Sequence, residues 1–79
     1  MKIEIKMPSL RPEMEKGTLC RFAAGIGDTV KKGDVLFEIE TDKVVTEIEA
    51  AADMRITAIH AEEGDEISVG TLIAEAEAI

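Results

Sequence analysis

The segment Glu40-Thr41-Asp42-Lys43-Val44-Val45-Thr46-Glu47-Ile48-Glu49 decides the fold of this chain. Apolar and polar residues alternate before and after its polar start, which is typical of two half-buried strands. Thr41 and Asp42 suit a tight turn because their side chains can hydrogen-bond to nearby backbone groups. We therefore predict a β-hairpin with Lys43 at its tip, where the amine has no apolar surface to cover and faces water.

The rest of the chain also predicts short strands joined by turns. Residues 1–7 alternate cleanly, and Pro8 ends this strand because proline cannot donate to a ladder. An exposed loop follows from Ser9 to Lys16, in which any helical turn is too short to persist. The second strand is predicted over residues 18–24, and turns are predicted over residues 25–28, 31–34 and 50–53.

The second half of the sequence repeats the first. Gly27-Asp28 aligns with Gly64-Asp65 at an offset of 64 − 27 = 37 residues, and the same offset pairs Lys6 with Lys43. Two halves of about four strands each predict an all-β fold. We expect one domain, residues 1–79, built as a flattened barrel or sandwich of two antiparallel sheets with pseudo-two-fold symmetry. Leu19 and Leu36 break the alternation, which indicates β-bulges.

Composition excludes several classes of function. The chain has 79 residues and a formal charge of −8, which argues against binding to nucleic acid or to anionic membranes. It has no apolar stretch that could span a bilayer and no signal-peptide pattern. Its single cysteine fits a reducing compartment. We expect a monomer in the bacterial cytoplasm, or in the mitochondrial matrix if a transit segment has been removed.

Neither of the reactive side chains outside the hairpin predicts a catalytic site. Cys20 has no neighbouring cation or histidine to lower the pKa of its thiol, so we interpret it as a small, partly buried residue. His60 has no histidine or cysteine at a ligand spacing, which argues against a metal site. The turn glycines are followed by strands, whereas phosphate-binding loops precede helices.

The hairpin and several other segments resemble the lipoyl domains of 2-oxo acid dehydrogenase complexes. The resemblance is greatest to the N-terminal lipoyl domain of a dihydrolipoyl acyltransferase such as that of pyruvate dehydrogenase. It covers nearly the whole chain and rests on the segments at residues 7–10, 13–19, 27–30, 33–36, 40–45 and 62–65.

This resemblance implies that Lys43 carries lipoate in amide linkage. It also implies that a lipoate ligase, or a lipoyl or octanoyl transferase, recognises the folded turn. The residues that we expect to hold the turn or to be recognised are Glu40, Thr41, Asp42, Val44 and Gly27. A loop beside the modified lysine would help partner enzymes to choose this domain, and here it comprises Leu10, Arg11, Pro12, Glu13, Met14 and Glu15.

The implied function is that of a carrier rather than an enzyme. The lipoyl group would carry acyl groups and electrons between three active sites. These belong to a decarboxylase that uses thiamine diphosphate, the acyltransferase core, and dihydrolipoyl dehydrogenase, which uses FAD. The sequence has no nucleophile–base pair of its own, so any acyltransferase activity would belong to the parent chain.

The sequence departs from the family pattern at three positions. Met54 stands where the family usually has glycine, so we expect a different backbone there at some cost. Val44 replaces a frequent alanine, and Phe22 a frequent tryptophan.

Two alternatives to a lipoyl carrier stay open. A biotinyl carrier domain would have the same fold, but such domains resemble Met-Lys-Met at the turn, whereas this chain has Asp42-Lys43-Val44. The other alternative is an unmodified interaction module.

Overall fold

The structure is a computed structural model, and it describes residues 1–10, 12–42 and 44–79. Within these residues the chain forms β-strands and no helix, so no helix is present that could cross a membrane. The eight strands are β1 (Lys2–Lys6), β2 (Lys16–Phe22), β3 (Thr29–Val30), β4 (Val35–Glu40), β5 (Val45–Glu49), β6 (Met54–Ile59), β7 (Glu66–Ser68) and β8 (Leu72–Ala78).

The strands form two four-stranded antiparallel sheets, as the sequence predicted. The first sheet has the order β1-β8-β6-β3, and the second has the order β5-β4-β2-β7. The core lies between them and is almost entirely aliphatic. Its largest fully buried side chains are those of Phe37, Met7, Leu19, Ile39 and Ile73. A layered fold of this kind lets each sheet bury an apolar face that it could not bury alone.

The two sheets are related by the predicted offset of 37 residues. Gly27 donates its N–H to the carbonyl of Ile56 at 2.8 Å, and Gly64 donates to the carbonyl of Leu19 at 2.7 Å. These are equivalent bonds, because 64 − 27 and 56 − 19 both equal 37. The two glycines also share a left-handed backbone, with φ of 92° and 95°. Glycine is favoured there because a Cβ would crowd the following carbonyl.

The strand pairing is irregular next to Leu19 and at Leu36, which confirms the predicted β-bulges. The pairing of β2 with β4 shifts at Cys20, next to Leu19, and the pairing of β4 with β5 shifts at Leu36. The second half has matching shifts at Thr57 and Ile73, again 37 residues later. At Leu36 the bulge lets two consecutive residues, Leu36 and Phe37, face the core.

The offset does not extend to the first strand, so the pairing of Lys6 with Lys43 was wrong. Met7 exchanges backbone hydrogen bonds with Gly70 and Thr71, whereas in the other sheet Ala50 does so with Gly33 and Asp34. Met7 therefore takes the place of Ala50, at an offset of 50 − 7 = 43 residues. This places Lys6 opposite Leu72 at the end of β1 rather than in a turn.

One other expectation also needs correction. The second strand covers residues 16–22 instead of 18–24, because Lys16 and Gly17 already pair with Ser68 and Ile67 of β7. At Met54 the backbone differs from that of a left-handed turn glycine, as expected. Met54 begins β6 with its side chain buried, and no non-glycine residue in the described part of the chain has a positive φ.

Candidate functional site

The turn between β4 and β5 closes in the way that the hairpin prediction requires. Glu40 pairs with Val45, and the N–H of Thr41 donates to the carbonyl of Val44 at 3.0 Å. By sequence, only Asp42 and Lys43 separate the two residues of this hydrogen bond. The connection between β4 and β5 is therefore closed by a hydrogen bond whose two residues are separated by only two others in the sequence, as in a tight hairpin. Lys43 and Arg11 lie outside the described residues, so their placement stays a prediction.

The base of this turn is fixed by the core. Strand β4 lies between β5 and β2, and its residues Phe37 and Ile39 are completely buried. Ile39 is the residue immediately before Glu40, so buried packing continues to within one residue of the exposed end of the strand. A site on such an element is held more firmly than one on a free loop.

The described residues next to position 43 are open to solvent. Asp42 is exposed, and the side chains of Val44 and Val45 are 56% and 55% exposed. A single exposed valine is common and needs no explanation. Because both valines and Asp42 are exposed, an enzyme can approach this end of the hairpin from solvent. Their role in ligase recognition stays a prediction.

The loop between β1 and β2 lies next to the turn. A groove of about 190 Å³ lies between them, lined by Glu13, Met14, Glu15, Lys16, Thr41 and Asp42. A second open groove, of about 330 Å³, lies beside the same turn and is lined by Lys16, Gly17, Thr18, Glu40, Thr41, Asp42 and Glu66. The structure thus brings the end of the predicted recognition loop to the hairpin tip.

Gly27, by contrast, belongs to a different turn. It lies in the connection between β2 and β3, where the N–H of Asp28 donates to the carbonyl of Gly25 at 3.1 Å. The N–H of Gly27 itself reaches Ile56 in the other sheet. Its left-handed backbone is needed for this turn, so Gly27 supports the sandwich rather than the connection between β4 and β5.

Acidic side chains dominate the surroundings of the turn. Among the described residues that line the two grooves, five are acidic and one, Lys16, is basic, and the amine of Lys16 lies 3.1 Å from the carboxylate of Glu66. An exposed ion pair of this kind contributes little to stability. Because this pair partly neutralises Lys16, the described lining of the grooves has a net negative charge, which favours partners with basic surfaces.

The reactive residues elsewhere have structural surroundings. Cys20 is partly buried, and burial is the largest cause that raises the pKa of its thiol, followed by the nearby carboxylates of Glu40 and Glu38. His60 lies on the outer face of the first sheet, with Nε2 2.8 Å from the Glu75 carboxylate. Among the described residues no group of histidine, cysteine and carboxylate side chains could hold a metal ion.

The chain termini lie at the other end of the first sheet from the turn. Strand β1 runs from Met1, which accepts a hydrogen bond from Ala78, to Met7, which pairs with Gly70 and Thr71. That second end adjoins Glu15, which accepts a hydrogen bond from Val69 and lines the groove beside the turn. The five residues of β1 therefore separate the termini from the end of the sheet that adjoins Glu15, a length of roughly 16 Å.

Two residues at this site were missed by the sequence analysis. The loop over residues 9–16 was expected to be exposed, but Met14 is only 9% exposed. Gly17 is buried beneath it, and a Cβ at Gly17 would lie 3.1 Å from the terminal methyl of Met14. The sequence did contain a signal, since Met14 is an apolar residue among charged ones and precedes a glycine within a strand, which often marks a close approach.

Comparisons with known proteins agree with this geometry. The model of the family described as "Biotin-requiring enzyme" (Biotin_lipoyl) matches residues 3–76. The chain is 49% identical over 75 residues to a dihydrolipoyllysine-residue acetyltransferase component of the pyruvate dehydrogenase complex from Zymomonas mobilis. That match covers 94% of this chain and 17% of the relative. It is also 45% identical to a pyruvate dehydrogenase E1 component subunit beta from Rhizobium meliloti, over 94% of this chain and 16% of that one.

A solved structure matches over its whole length. It is the solution structure of the lipoyl domain of the 2-oxoglutarate dehydrogenase complex from Azotobacter vinelandii, with 36% sequence identity and a TM-score of 0.81. The match covers 98% of this chain and 99% of that domain, whereas the chain spans only about a sixth of the curated relatives. The chain therefore belongs to the biotin–lipoyl family and is a lipoyl domain, a non-catalytic carrier module.

Proposed function

We propose that Lys43 is the lysine of this lipoyl domain that carries lipoate in amide linkage. The observation that carries the proposal is the hydrogen bond from Thr41 to Val44, which closes the connection between β4 and β5 so that only Asp42 and Lys43 lie between its two residues in the sequence. The exposed side chains of Asp42 and Val44 give an attaching enzyme access from both sides. Amide formation removes the positive charge of the amine, which changes the formal charge from −8 to −9.

The surroundings of the turn fit such a modification. Glu40 and Thr41 hold the end of β4 by their pairing with β5, and this fixes the backbone on which a ligase, or a lipoyl or octanoyl transferase, would act. The adjoining grooves are open and polar, so they leave room for an arm to move. We therefore propose that the attaching enzyme recognises the closed turn through Glu40, Thr41, Asp42 and Val44.

The contribution of the protein to transfer is geometric. A lipoyl group on this lysine supplies a cyclic disulfide that accepts an acyl group and two electrons. A lysine side chain with this extension reaches on the order of a dozen ångströms from its Cα, from ordinary bond lengths. The rigid sandwich presents that arm, and its tether raises the local concentration of the reactive end at each active site.

We further propose the partners that such an arm would serve. They are a decarboxylase that uses thiamine diphosphate, an acyltransferase core and a flavin-dependent dihydrolipoyl dehydrogenase. The similarity to acetyltransferase components supports an acyltransferase as the parent chain, although a decarboxylase subunit contains a similar segment. The loop over Leu10–Glu15 lies where such partners would meet the arm. A reducing compartment such as the bacterial cytoplasm suits the single free cysteine.

Intact mass spectrometry tests the proposal. The chain is produced with a lipoate ligase and lipoate, and in parallel with a biotin ligase and biotin. We expect the mass of one lipoyl group in the first sample and an unmodified chain in the second. Lys43→Arg should fold and remain unmodified, whereas the control Lys6→Arg should be modified fully, because Lys6 lies on β1.

Other outcomes would support the alternatives. Biotin on the wild-type chain would favour a biotinyl carrier, and no modification by either ligase would favour an interaction module. Lipoate on Lys43→Arg would show that another lysine is the acceptor. Each of these results contradicts the proposal.

A further inference from the structure

One side chain of the loop beside the turn faces inward. Between Ser9 and Lys16, Met14 is buried, while the other described residues of that stretch are exposed. A loop of this length without secondary structure needs internal contacts if it is to keep one conformation. Met14 is therefore the described residue of the loop that is best placed to hold it in one conformation.

Met14 makes two contacts that hold different parts of the structure together. Its sulfur accepts the N–H of Leu10 at 3.3 Å, which ties the start of the loop to its end. Its terminal methyl lies where it would be 3.1 Å from a Cβ on Gly17. Gly17 is in β2, packed against Ile39 and the carbonyl of Glu40 at the end of β4. The methionine thus joins the loop to the base of the turn.

The pseudo-symmetry shows that this space is used differently in the two halves. The counterpart of Gly17 is Met54, since 54 − 17 = 37, and Met54 is only 2% exposed. The corresponding connection in the second half, residues 51–53, is shorter than the loop and exposed. In the second half the side chain of Met54 fills this space from within its own strand. In the first half Gly17 has no side chain, and Met14 of the loop covers the space instead.

We propose that Met14 is a positioning residue, which seats the Leu10–Glu15 loop against Gly17 so that partner enzymes meet one ordered surface beside Lys43. The inference rests on the proposed function, because it assigns a specificity role to the loop next to the modified lysine. Without the contact, binding would have to order the loop, and that cost falls on affinity rather than on the chemical step.

The test compares Met14→Ala with Met54→Ala in the lipoylated chain. Both variants remove a buried methionine, but only the first removes a contact of the loop. Two quantities are measured: the amide hydrogen-exchange rate of Leu10, and KM and kcat for reductive acylation by the decarboxylase of the same complex. For Met14→Ala we expect Leu10 exchange to be about tenfold faster and KM to rise about tenfold with kcat unchanged.

The control separates positioning from general loss of stability. Met54→Ala should lower the melting temperature and leave KM and Leu10 exchange near the wild-type values. Equal rises in KM for both variants, or unchanged Leu10 exchange in Met14→Ala, would overturn the inference. If Met14→Ala does not fold, Met14→Leu replaces it, because leucine keeps the packing and removes the sulfur acceptor. Its Leu10 exchange should also be about tenfold faster, and an unchanged rate counts against the proposal.

Failure of the proposed function gives a different result. In that case the wild-type chain would take up no lipoate, whatever the state of the loop. The exchange rate of Leu10 in Met14→Ala would still decide whether Met14 anchors the loop, because that measurement needs no lipoyl group.

Discussion

Replacing Gly17 with alanine should destabilise the domain although its backbone does not require glycine. An added Cβ would lie 2.7 Å from Cγ2 of Ile39, which is closer than real contacts allow, and 3.6 Å from the carbonyl oxygen of Glu40. Ile39 is fully buried in the central strand β4, so it cannot swing into solvent. Either its side chain leaves its preferred rotamer or the two strands separate.

Two effects of opposite sign set the magnitude. Overpacking a well-filled core costs about 1–3 kcal/mol. Alanine also restricts the unfolded chain, which stabilises by about 0.4–1 kcal/mol. The midpoints of these two ranges leave a net loss of about 1.3 kcal/mol of unfolding free energy. In a domain of this size each kcal/mol lowers Tm by roughly 4–8 °C.

Gly25 provides the matched control. A Cβ there would meet only the carboxylate of Asp28, at an ordinary contact distance of 3.8 Å, and its φ lies outside the left-handed region. Gly25→Ala should therefore match the wild type or exceed it slightly. Urea unfolding is followed by circular dichroism, because the chain has no tryptophan or tyrosine for fluorescence. If Gly17→Ala proves as stable as Gly25→Ala, the close packing of β2 against β4 is wrong.

Three further predictions concern the turns, the thiol and an ion-pair cluster. Gly64→Ala should cost about 1–2 kcal/mol in urea unfolding, because alanine is strained at a φ of 95° although no atom lies near; equal stability would contradict the turn geometry. The Cys20 thiol, whose pKa is raised chiefly by burial, should react more slowly with a disulfide reagent at pH 8 than free cysteine does, and rapidly after unfolding; a fast reaction of the folded domain would contradict its burial. The hydrogen bond from Lys2, followed in size by that from His60, lowers the pKa of Glu75 below its usual 4.5. The ionised Glu75 side chain therefore stabilises the fold above that pH, and this stabilisation is lost as the pH falls through the folded-state pKa. Glu75→Gln should therefore be less stable than the wild type at pH 7, and the difference should shrink below pH 4.5; a constant difference across that range would refute the assignment.

Local patterns in the sequence predicted the parts of the fold that local chemistry controls. Alternation located β1 and the strands of the hairpin, because one face of each strand is buried. The repeated Gly-Asp pairs predicted matching turns, and both turn glycines have the left-handed backbone. Leu19 and Leu36 marked bulges because a residue in the wrong phase can reach the core only where the register shifts.

Features that depend on packing between distant segments were not predictable from the sequence. Met7 is equivalent to Ala50 because β1, at the start of the chain, pairs with β8 in the way that β5 pairs with β4. No repeat spacing can show this. Met14 and Gly17 were missed for a similar reason, since each is unremarkable alone and their contact becomes visible only in three dimensions.

The candidate site was predictable to the extent that it is local. The closed turn over Thr41–Val44 follows from polar residues between two alternating segments. Only the family resemblance predicted that the Glu13–Glu15 stretch lies close to that turn. The structure shows a groove that is lined by both. Gly27 was grouped with the turn on resemblance too, but it holds another connection.

The most direct test is to locate the modification on the chain. The domain, isolated after production with a lipoate ligase, is digested, and tandem mass spectrometry assigns the modified residue. The account predicts that lipoate is found on the peptide containing Lys43 and that fragment masses place it on that side chain. Lipoate on Lys6, Lys16 or any other lysine, with Lys43 unmodified, would contradict the claim that the closed turn between β4 and β5 presents the acceptor.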